Sequence, residues 1–180
     1  MTSVSALAAT QLRFLTGTTS QTFSASSQEQ VGSGPLGLLA LLDVEVFNKT
    51  YFSLGTSFEL STDSFSTSGF TLYGVLNYYL MGDPKPIVTS DKMETSLELY
   101  RKYSAYVTFG VFQKEIELRN PETQFVSDES LGGLLVGFGG NYNLNSKMFL
   151  NGHIQYLTSG LGTVDEYSSF ELYFGLGLRI

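Results

Sequence analysis

The 180-residue chain has no cysteine and few charged residues, which make up 15% of it against a usual share of roughly 25%. Without cysteine there are no disulfides, thiolate nucleophiles or zinc–thiolate sites. Ten Lys and Arg residues stand against seventeen Asp and Glu, a net charge of −7. Since phosphate binding requires clustered basic residues, we expect no nucleic-acid partner.

Long hydrophobic runs are also missing. The longest apolar stretch, residues 36–42, contains a glycine and is far shorter than the roughly 20 residues that a transmembrane helix needs. Residues 1–11 have neither the basic region nor the long apolar region of a signal peptide. We therefore predict no transmembrane helix, and we expect a mature chain that opens with a short N-terminal segment, residues 1–11.

The rest of the chain alternates bulky apolar residues with small or polar ones, which is the period of a β-strand with two different faces. In the last segment, Phe170, Phe174 and Leu176 share one face, and Glu171 and Gly175 share the other. Similar segments occupy residues 12–24, 38–46, 52–60, 70–80, 97–115, 133–144, 148–156 and 170–180. The repetition predicts an all-β protein of about eight strands.

The connections between these strands differ in length. Tight polar turns at 48–50 and 145–147 predict hairpins, whereas 25–34, 61–69, 119–130 and 159–168 are longer and polar. Short periplasmic turns and longer outer loops are typical of outer-membrane barrels. The connection 81–96 is long where a short turn is expected, which indicates either an additional contact surface or a slip in the strand register.

The two strand faces decide between a soluble barrel and a membrane barrel. An eight-stranded lumen is only just wide enough for side chains, so the bulky apolar face must point outward, into lipid. We therefore predict a closed antiparallel up-and-down transmembrane β-barrel over residues 12–180. Aromatic residues near the strand ends fit the two interfacial girdles of such a barrel. These are Tyr51, Phe52, Tyr78, Tyr79, Tyr142 and Phe149.

Over residues 12–180 the chain resembles small bacterial outer-membrane barrels of the OmpA transmembrane-domain, OmpX and OmpW type. The closing residues 173–180, Tyr-Phe-Gly-Leu-Gly-Leu-Arg-Ile, resemble the terminal-strand signal read by the barrel-assembly machinery, with Ile180 where members usually have Phe. The resemblance implies location in the bacterial outer membrane, contact with lipid and lipopolysaccharide, and an occluded interior.

Charged residues on the inward face predict a polar network inside the barrel, because a charge removed from water must be paired. We expect internal salt bridges that fill the lumen rather than a conducting path or a proton-linked gate. The predicted members are Arg13, Asp43, Glu45, Glu59, Lys114, His153, Glu171 and Arg179. Inward-facing aromatic residues should close the remaining space: Tyr73, Tyr79, Tyr106, Phe112 and Tyr173.

A catalytic triad would have to use His153, the only histidine, with Glu171 as the orienting acid and Ser159 or Ser169 as nucleophile. Lipid A deacylases on this architecture have Ser two residues from His, where this chain has Gln155. We therefore expect no enzyme, no cofactor and no catalytic residue.

Scattered carboxylates on the long connections, Asp63, Asp128, Glu129, Asp165 and Glu166, have no calcium-loop spacing, and we expect no metal site. The favoured function is a structural or surface-recognition role, through the loops or within an envelope complex, with a protein partner in the envelope or on another cell. The alternatives are OmpW-like transport of small solutes and, less favoured, a lipid-modifying enzyme.

Overall fold

The structure is a computed structural model that describes part of the chain. It describes the backbone of residues 10–25, 28–60, 69–82, 87–90, 96–99, 101–119, 126–159 and 165–180. The side chains described are those of residues 10–23, 36–59, 69–82, 101–115, 130–159 and 166–180. Within the described residues, no helix is long and apolar enough to cross a membrane.

Ten strands account for nearly all of the described residues. They are β1 (Thr10–Ala25), β2 (Gln28–Phe47), β3 (Thr50–Leu60), β4 (Phe70–Met81), β5 (Ile87–Ser90), β6 (Ser96–Leu99), β7 (Tyr103–Arg119), β8 (Val126–Asn143), β9 (Met148–Ser159) and β10 (Asp165–Arg179). Eight of them close into one barrel in the order β1-β10-β9-β8-β7-β4-β3-β2. Every neighbouring pair is antiparallel, which confirms the predicted fold.

Closure depends on the pairing of the first and last barrel strands. The β1–β10 ladder runs without interruption from Gln11 opposite Arg179 to Ala25 opposite Asp165. This seam gives both edge strands a partner, and a closed ladder is the only sheet arrangement that leaves no unpaired edge in hydrocarbon. The first strand begins at Thr10, two residues before the predicted start of the barrel.

The long connection after β4 contains a separate hairpin. Strand β5 pairs with β6, and neither belongs to the barrel sheet. The prediction of one strand over 97–115 was therefore wrong at its start, because the alternation of residues 97–99 belongs to β6 and the barrel strand begins at Tyr103. A register irregularity lies between Tyr79 and Met81, next to this connection.

Strand pairing extends into three of the predicted long loops, 25–34, 119–130 and 159–168, while nearly all of the fourth, 61–69, lies outside the described residues. Pairing continues to Ala25 opposite Gln28 in β1–β2 and to Arg119 opposite Val126 in β7–β8. The sequence there is polar, but a ladder of backbone hydrogen bonds does not require apolar side chains. The barrel therefore has one end with extended hairpins, here called the hairpin end. The other, here called the turn end, carries both termini of the barrel and the turns after Phe47 and Asn143.

The outer surface is an apolar belt. Phe14, Leu54, Phe109 and Phe174 are each more than half exposed, and bulky outward residues recur on all eight barrel strands. Monomeric soluble proteins rarely expose a contiguous apolar surface larger than a few hundred Å². This outer face is instead what a transmembrane barrel presents to lipid.

Candidate functional site

One polar cluster fills the lumen towards the turn end. Nη2 of Arg13 lies 2.7 Å from Oδ1 of Asp43, and both side chains are almost fully buried. The register places Arg13 opposite Leu41, so Asp43 lies diagonally across the β1–β2 boundary, within reach of a long side chain. Nη1 of Arg13 donates to the hydroxyl of Tyr106 at 2.5 Å, and Ser53 donates to Asp43. The buried charges are thus both paired and hydrogen-bonded.

A second ion pair lies towards the hairpin end. Nζ of Lys114 donates to both carboxylate oxygens of Glu59 at 2.8 Å, and neither side chain reaches solvent. Gln21 also donates to Glu59, and the ammonium lies 5.3 Å from the centre of the Tyr167 ring. Strands β1, β3, β7 and β10 therefore converge on this buried ion pair.

Glu171 lies beside this pair and is held by neutral donors. Its carboxylate accepts hydrogen bonds from Nε2 of Gln155 at 2.5 Å, from the Tyr73 hydroxyl at 3.3 Å and from Oγ of Ser169 at 3.3 Å. The Tyr73 hydroxyl also lies 2.7 Å from Oγ of Ser57. The carboxylate thus ties β10 to β9 and, across the lumen, to β4.

His153 connects the two clusters. Its Nε2 lies 2.9 Å from Oε1 of Gln155, and its Nδ1 lies 3.2 Å from the Tyr106 hydroxyl. Because the amide nitrogen of Gln155 donates to Glu171, its oxygen faces the imidazole and can only accept. Nε2 therefore donates to Gln155. The Tyr106 hydroxyl already accepts from Arg13 and Asn151, so it donates to Nδ1, and His153 is a link in a continuous network.

The geometry around His153 differs from that of a catalytic triad. Its two ring nitrogens contact a tyrosine and a glutamine, while the hydroxyl of Ser169 contacts Glu171. Ser159 and Ser169 are both buried on the inner face of the wall. Within the described residues, the hydrogen bonds of His153 therefore join it to neither candidate serine nor to Glu171.

Aromatic rings close the remaining space. The five predicted inward rings, Tyr73, Tyr79, Tyr106, Phe112 and Tyr173, are all buried. Tyr79 lies 5.3 Å from Tyr51 and 5.1 Å from Tyr106 between ring centres. Gly139 provides room for this stack, since a Cβ there would overlap the Tyr106 ring. Small wall residues and large rings are thus fitted to each other inside the barrel.

The predicted aromatic girdle was wrong for three of its six residues. Tyr51, Tyr79 and Phe149 are buried in the lumen, whereas Phe52 and Tyr78 point outward. The reason is strand parity, because an inward residue near a strand end remains inward however close it lies to the membrane interface. The sixth residue, Tyr142, is half-buried.

Two of the eight predicted network residues lie at the rim of the turn end rather than deep in the lumen. Arg179 and Glu45 are both half-buried. The guanidinium donates to the side chain of Asn143 and to the carbonyl oxygens of residues 145–146 at 3.4 Å, and it lies 4.9 Å from the centre of the Phe149 ring. The other six residues line the interior.

The two ends of the barrel carry opposite charge. At the turn end, basic residues predominate on the turns and strand ends: Lys49, Arg101, Lys102, Lys147 and Arg179. Acidic residues predominate in the extended hairpins: Glu29, Glu115, Glu117, Asp128, Glu129, Asp165 and Glu166. Charges of the other sign are fewer, with Glu45 at the rim of the turn end and Arg119 in the β7–β8 hairpin. Among the described residues, seven acidic residues against one basic residue give the hairpin end its negative charge.

The carboxylates predicted to be solvated on the long connections are only partly described. Glu166 is exposed, while the side chains of Asp63, Asp128, Glu129 and Asp165 lie outside the described residues. Among the residues that are described, no group of three His, Cys, Asp or Glu side chains is arranged to hold a metal ion.

Comparisons with known proteins agree on the fold. No family model and no curated protein matches the chain. One similar solved structure is Neisserial surface protein A, with 12% identity over 95% of this chain and 97% of that one and a TM-score of 0.60. A second is the N-terminal β-barrel domain of OprF from Pseudomonas aeruginosa, with 11% identity over 92% of this chain and 97% of that one and a TM-score of 0.60. A third is Ail, the attachment invasion locus protein of Yersinia pestis, in complex with the heparin analogue sucrose octasulfate, with 11% identity over 95% of this chain and 99% of that one and a TM-score of 0.52. At these identities the likeness concerns the fold, and the chain has the fold of the small eight-stranded outer-membrane β-barrels.

Proposed function

We propose that this protein is a non-catalytic component of the bacterial outer membrane that recognises partners through its extended hairpins. The observation that supports this best is the packing of the described lumen, where the Arg13–Asp43 and Lys114–Glu59 pairs and the tyrosine stack are almost fully buried. An eight-stranded wall encloses little more than its own side chains. Function is then carried by the surfaces outside the lumen.

A conductance measurement tests the filled lumen directly. The folded protein, purified as a monodisperse monomer, is inserted into a planar bilayer, with a porin of known conductance as the positive control. We expect no stable, voltage-independent channel. Reproducible single-channel steps from the monomer would favour small-solute transport instead.

The hairpins are suited to recognition because they are paired well beyond the lumen plug. From Lys114 opposite Leu131, the β7–β8 ladder continues for five more residue pairs to Arg119 opposite Val126, or about 17 Å along the strand. Paired strands hold a surface in place more firmly than a loop of equal length. The partners that we propose are a protein in the envelope or on another cell, with lipopolysaccharide and lipid around the belt.

Charge limits the class of partner. Ail was solved with a sulfated heparin analogue, and a polyanion of that kind would meet the acidic hairpin end of this chain. Like charges repel and slow encounter. We therefore propose a partner with a neutral or basic contact surface, and we expect heparin-coated beads not to retain the detergent-solubilised protein.

Epitope insertion tests both location and orientation. An epitope between residues 122 and 123 of the β7–β8 connection should be labelled by antibody on intact cells. The matched control carries the same epitope after Ser146, in the turn between β8 and β9, and should be labelled only after the outer membrane is permeabilised. If the epitope after Ser146 were labelled on intact cells and the other only after permeabilisation, the proposed orientation would be reversed. Recovery of the protein without an epitope in the soluble fraction would refute the membrane location.

The absence of catalysis is also part of the proposal. It is supported by the bonding of His153, which holds a tyrosine and a glutamine rather than a serine. Mass spectra of lipid A and phospholipids from cells that produce the protein should match those from cells that produce a His153→Asn variant. A lipid modification that depends on His153 would instead establish a barrel enzyme.

A further inference from the structure

The outer surface contains a long apolar groove with a volume of about 820 Å³, within the range of cavities that hold small ligands. Its floor includes the short side chains of Thr16, Ala40 and Thr56, and its walls include the rings of Phe14 and Phe174. On the lipid-facing side of a barrel, a strip of short side chains between aromatic rings forms a groove that fits a narrow apolar group.

The groove extends from one edge of the apolar belt to the other. At the turn end it is lined by Met148 and Leu178, which are register partners on β9 and β10. At the hairpin end it is lined by Phe58 and Phe70, which are partners on β3 and β4. The five strand spacings between β9 and β4, each about 4.8 Å, and a shift of four residue positions along the strands, about 13 Å, give a path on the order of 27 Å, comparable to the roughly 25 Å height of a barrel's apolar band.

The direction of this path follows the membrane normal. Leu176, Phe14, Ala40 and Thr56 form one row across the sheet, and the first three lie progressively farther from the turn-end limits of β10, β1 and β2. Such a row is perpendicular to strands that are tilted by about 35–45°, so it rises towards the hairpin end at about 45–55° to the barrel axis. The groove also advances along the strands, since Met148 and Leu178 lie on the turn-end side of this row and Phe58 and Phe70 on its hairpin-end side, and the two displacements together bring its course close to the barrel axis. Lipid acyl chains have this same direction.

The two ends of the groove differ in charge. At the turn end, exposed Lys147 immediately precedes Met148, and Arg179 immediately follows Leu178. At the hairpin end, exposed Glu115 is the register partner of Phe70. Arg179 already binds Asn143, so Lys147 is the cation with its side chain directed to solvent. An amphiphile with an anionic head fits the groove with that head at the turn end only.

We propose that the groove binds an acyl chain of an anionic glycerophospholipid of the inner leaflet, with the lipid phosphate beside Lys147. A second copy of the barrel is a poorer occupant, because the convex outer face of one barrel cannot fill a concave strip on another. The proposal rests on the membrane location proposed above but not on what the hairpins recognise.

Native mass spectrometry of the folded full-length protein tests this site. The protein is titrated in detergent with phosphatidylglycerol or phosphatidylcholine of equal chain length. We expect a one-to-one adduct that favours phosphatidylglycerol. Ala40→Phe, which fills the floor, should weaken both adducts about tenfold, the equivalent of losing the burial of about two methylene groups. Lys147→Glu should lower the preference for phosphatidylglycerol at least about fivefold, because the choline ammonium offsets the phosphate charge of phosphatidylcholine and the loss is smaller for that lipid.

Each variant has a matched control. Ala105→Phe adds the same ring at an outward position on β7 that does not line the groove, and Lys49→Glu reverses a charge in the turn between β2 and β3. Both should bind lipid like the unmodified protein. Equal effects of Ala40→Phe and Ala105→Phe, the absence of a discrete adduct, or a preference for lipid A over phosphatidylglycerol would overturn the proposal. Heat-modifiable gel mobility shows that each variant is folded, so loss of the site is distinguished from failure of the barrel.

Discussion

The Lys114–Glu59 pair provides the sharpest test of how the lumen is held together. Its two charges lie 2.8 Å apart and are fully removed from water. Removing one partner of such a pair leaves an uncompensated buried charge, which typically destabilises a protein by about 3–5 kcal/mol, whereas replacing both partners with neutral residues is often close to neutral. We therefore expect Lys114→Met to lower the free energy of unfolding by about 3–5 kcal/mol, and Glu59→Gln to be strongly destabilising as well.

The double variant Lys114→Met with Glu59→Gln should recover most of that loss. Gln at position 59 keeps a carbonyl oxygen that can still accept from Gln21. Urea unfolding of the three variants in lipid vesicles, followed by circular dichroism, gives the coupling energy from a double-mutant cycle. Additive single effects, or a loss below about 1 kcal/mol for Lys114→Met, as seen for solvent-exposed pairs, would show that this pair is not buried.

Three further predictions concern facing, packing and the network. Leu176→Arg places a charge in the apolar belt and should reduce the free energy of unfolding in vesicles by about 2–4 kcal/mol. Gly139→Ala should cost about 1–3 kcal/mol through overlap with the Tyr106 ring, whereas Gly132→Ala on the same strand, where the nearest atom is 3.8 Å away, should change thermal stability little. Tyr106→Phe removes a hydroxyl that Arg13 and a neighbouring asparagine use and should cost about 1–3 kcal/mol in the urea assay.

The strand pattern was predictable because membrane and lumen impose opposite demands on neighbouring residues. Leu176 faces lipid and Glu171 faces the lumen, as a period of two requires. Strand parity also assigns Tyr51 and Phe149 to the interior. The girdle prediction was wrong for them because it used their position near strand ends instead of parity. Those residues alternate in phase with Ser53 and Asn151, which are inward as well.

The partners inside the lumen could not be predicted from the sequence. Lys114 and Glu59 are separated by 55 residues and lie on strands that do not pair with each other. Which inward residues share a level depends on the tilt and stagger of the whole barrel, and these emerge only when every register is fixed. The hairpin β5–β6 was missed for a related reason, since the alternation of residues 97–99 fits either sheet.

The architecture separates the buried pairs that stabilise the barrel from the hairpins that we propose meet partners. The buried pairs lie where the wall is closed and every strand has two neighbours, so their energy is shared by β1, β2, β3 and β7. The acidic hairpins extend beyond that plug, and within the described residues the far end of the β7–β8 hairpin pairs only within itself, as Arg119 does with Val126. Distant sites without shared contacts contribute nearly additively to stability. Substitutions at the far ends of the hairpins are therefore expected to leave the lumen contacts that stabilise the closed barrel largely unaffected.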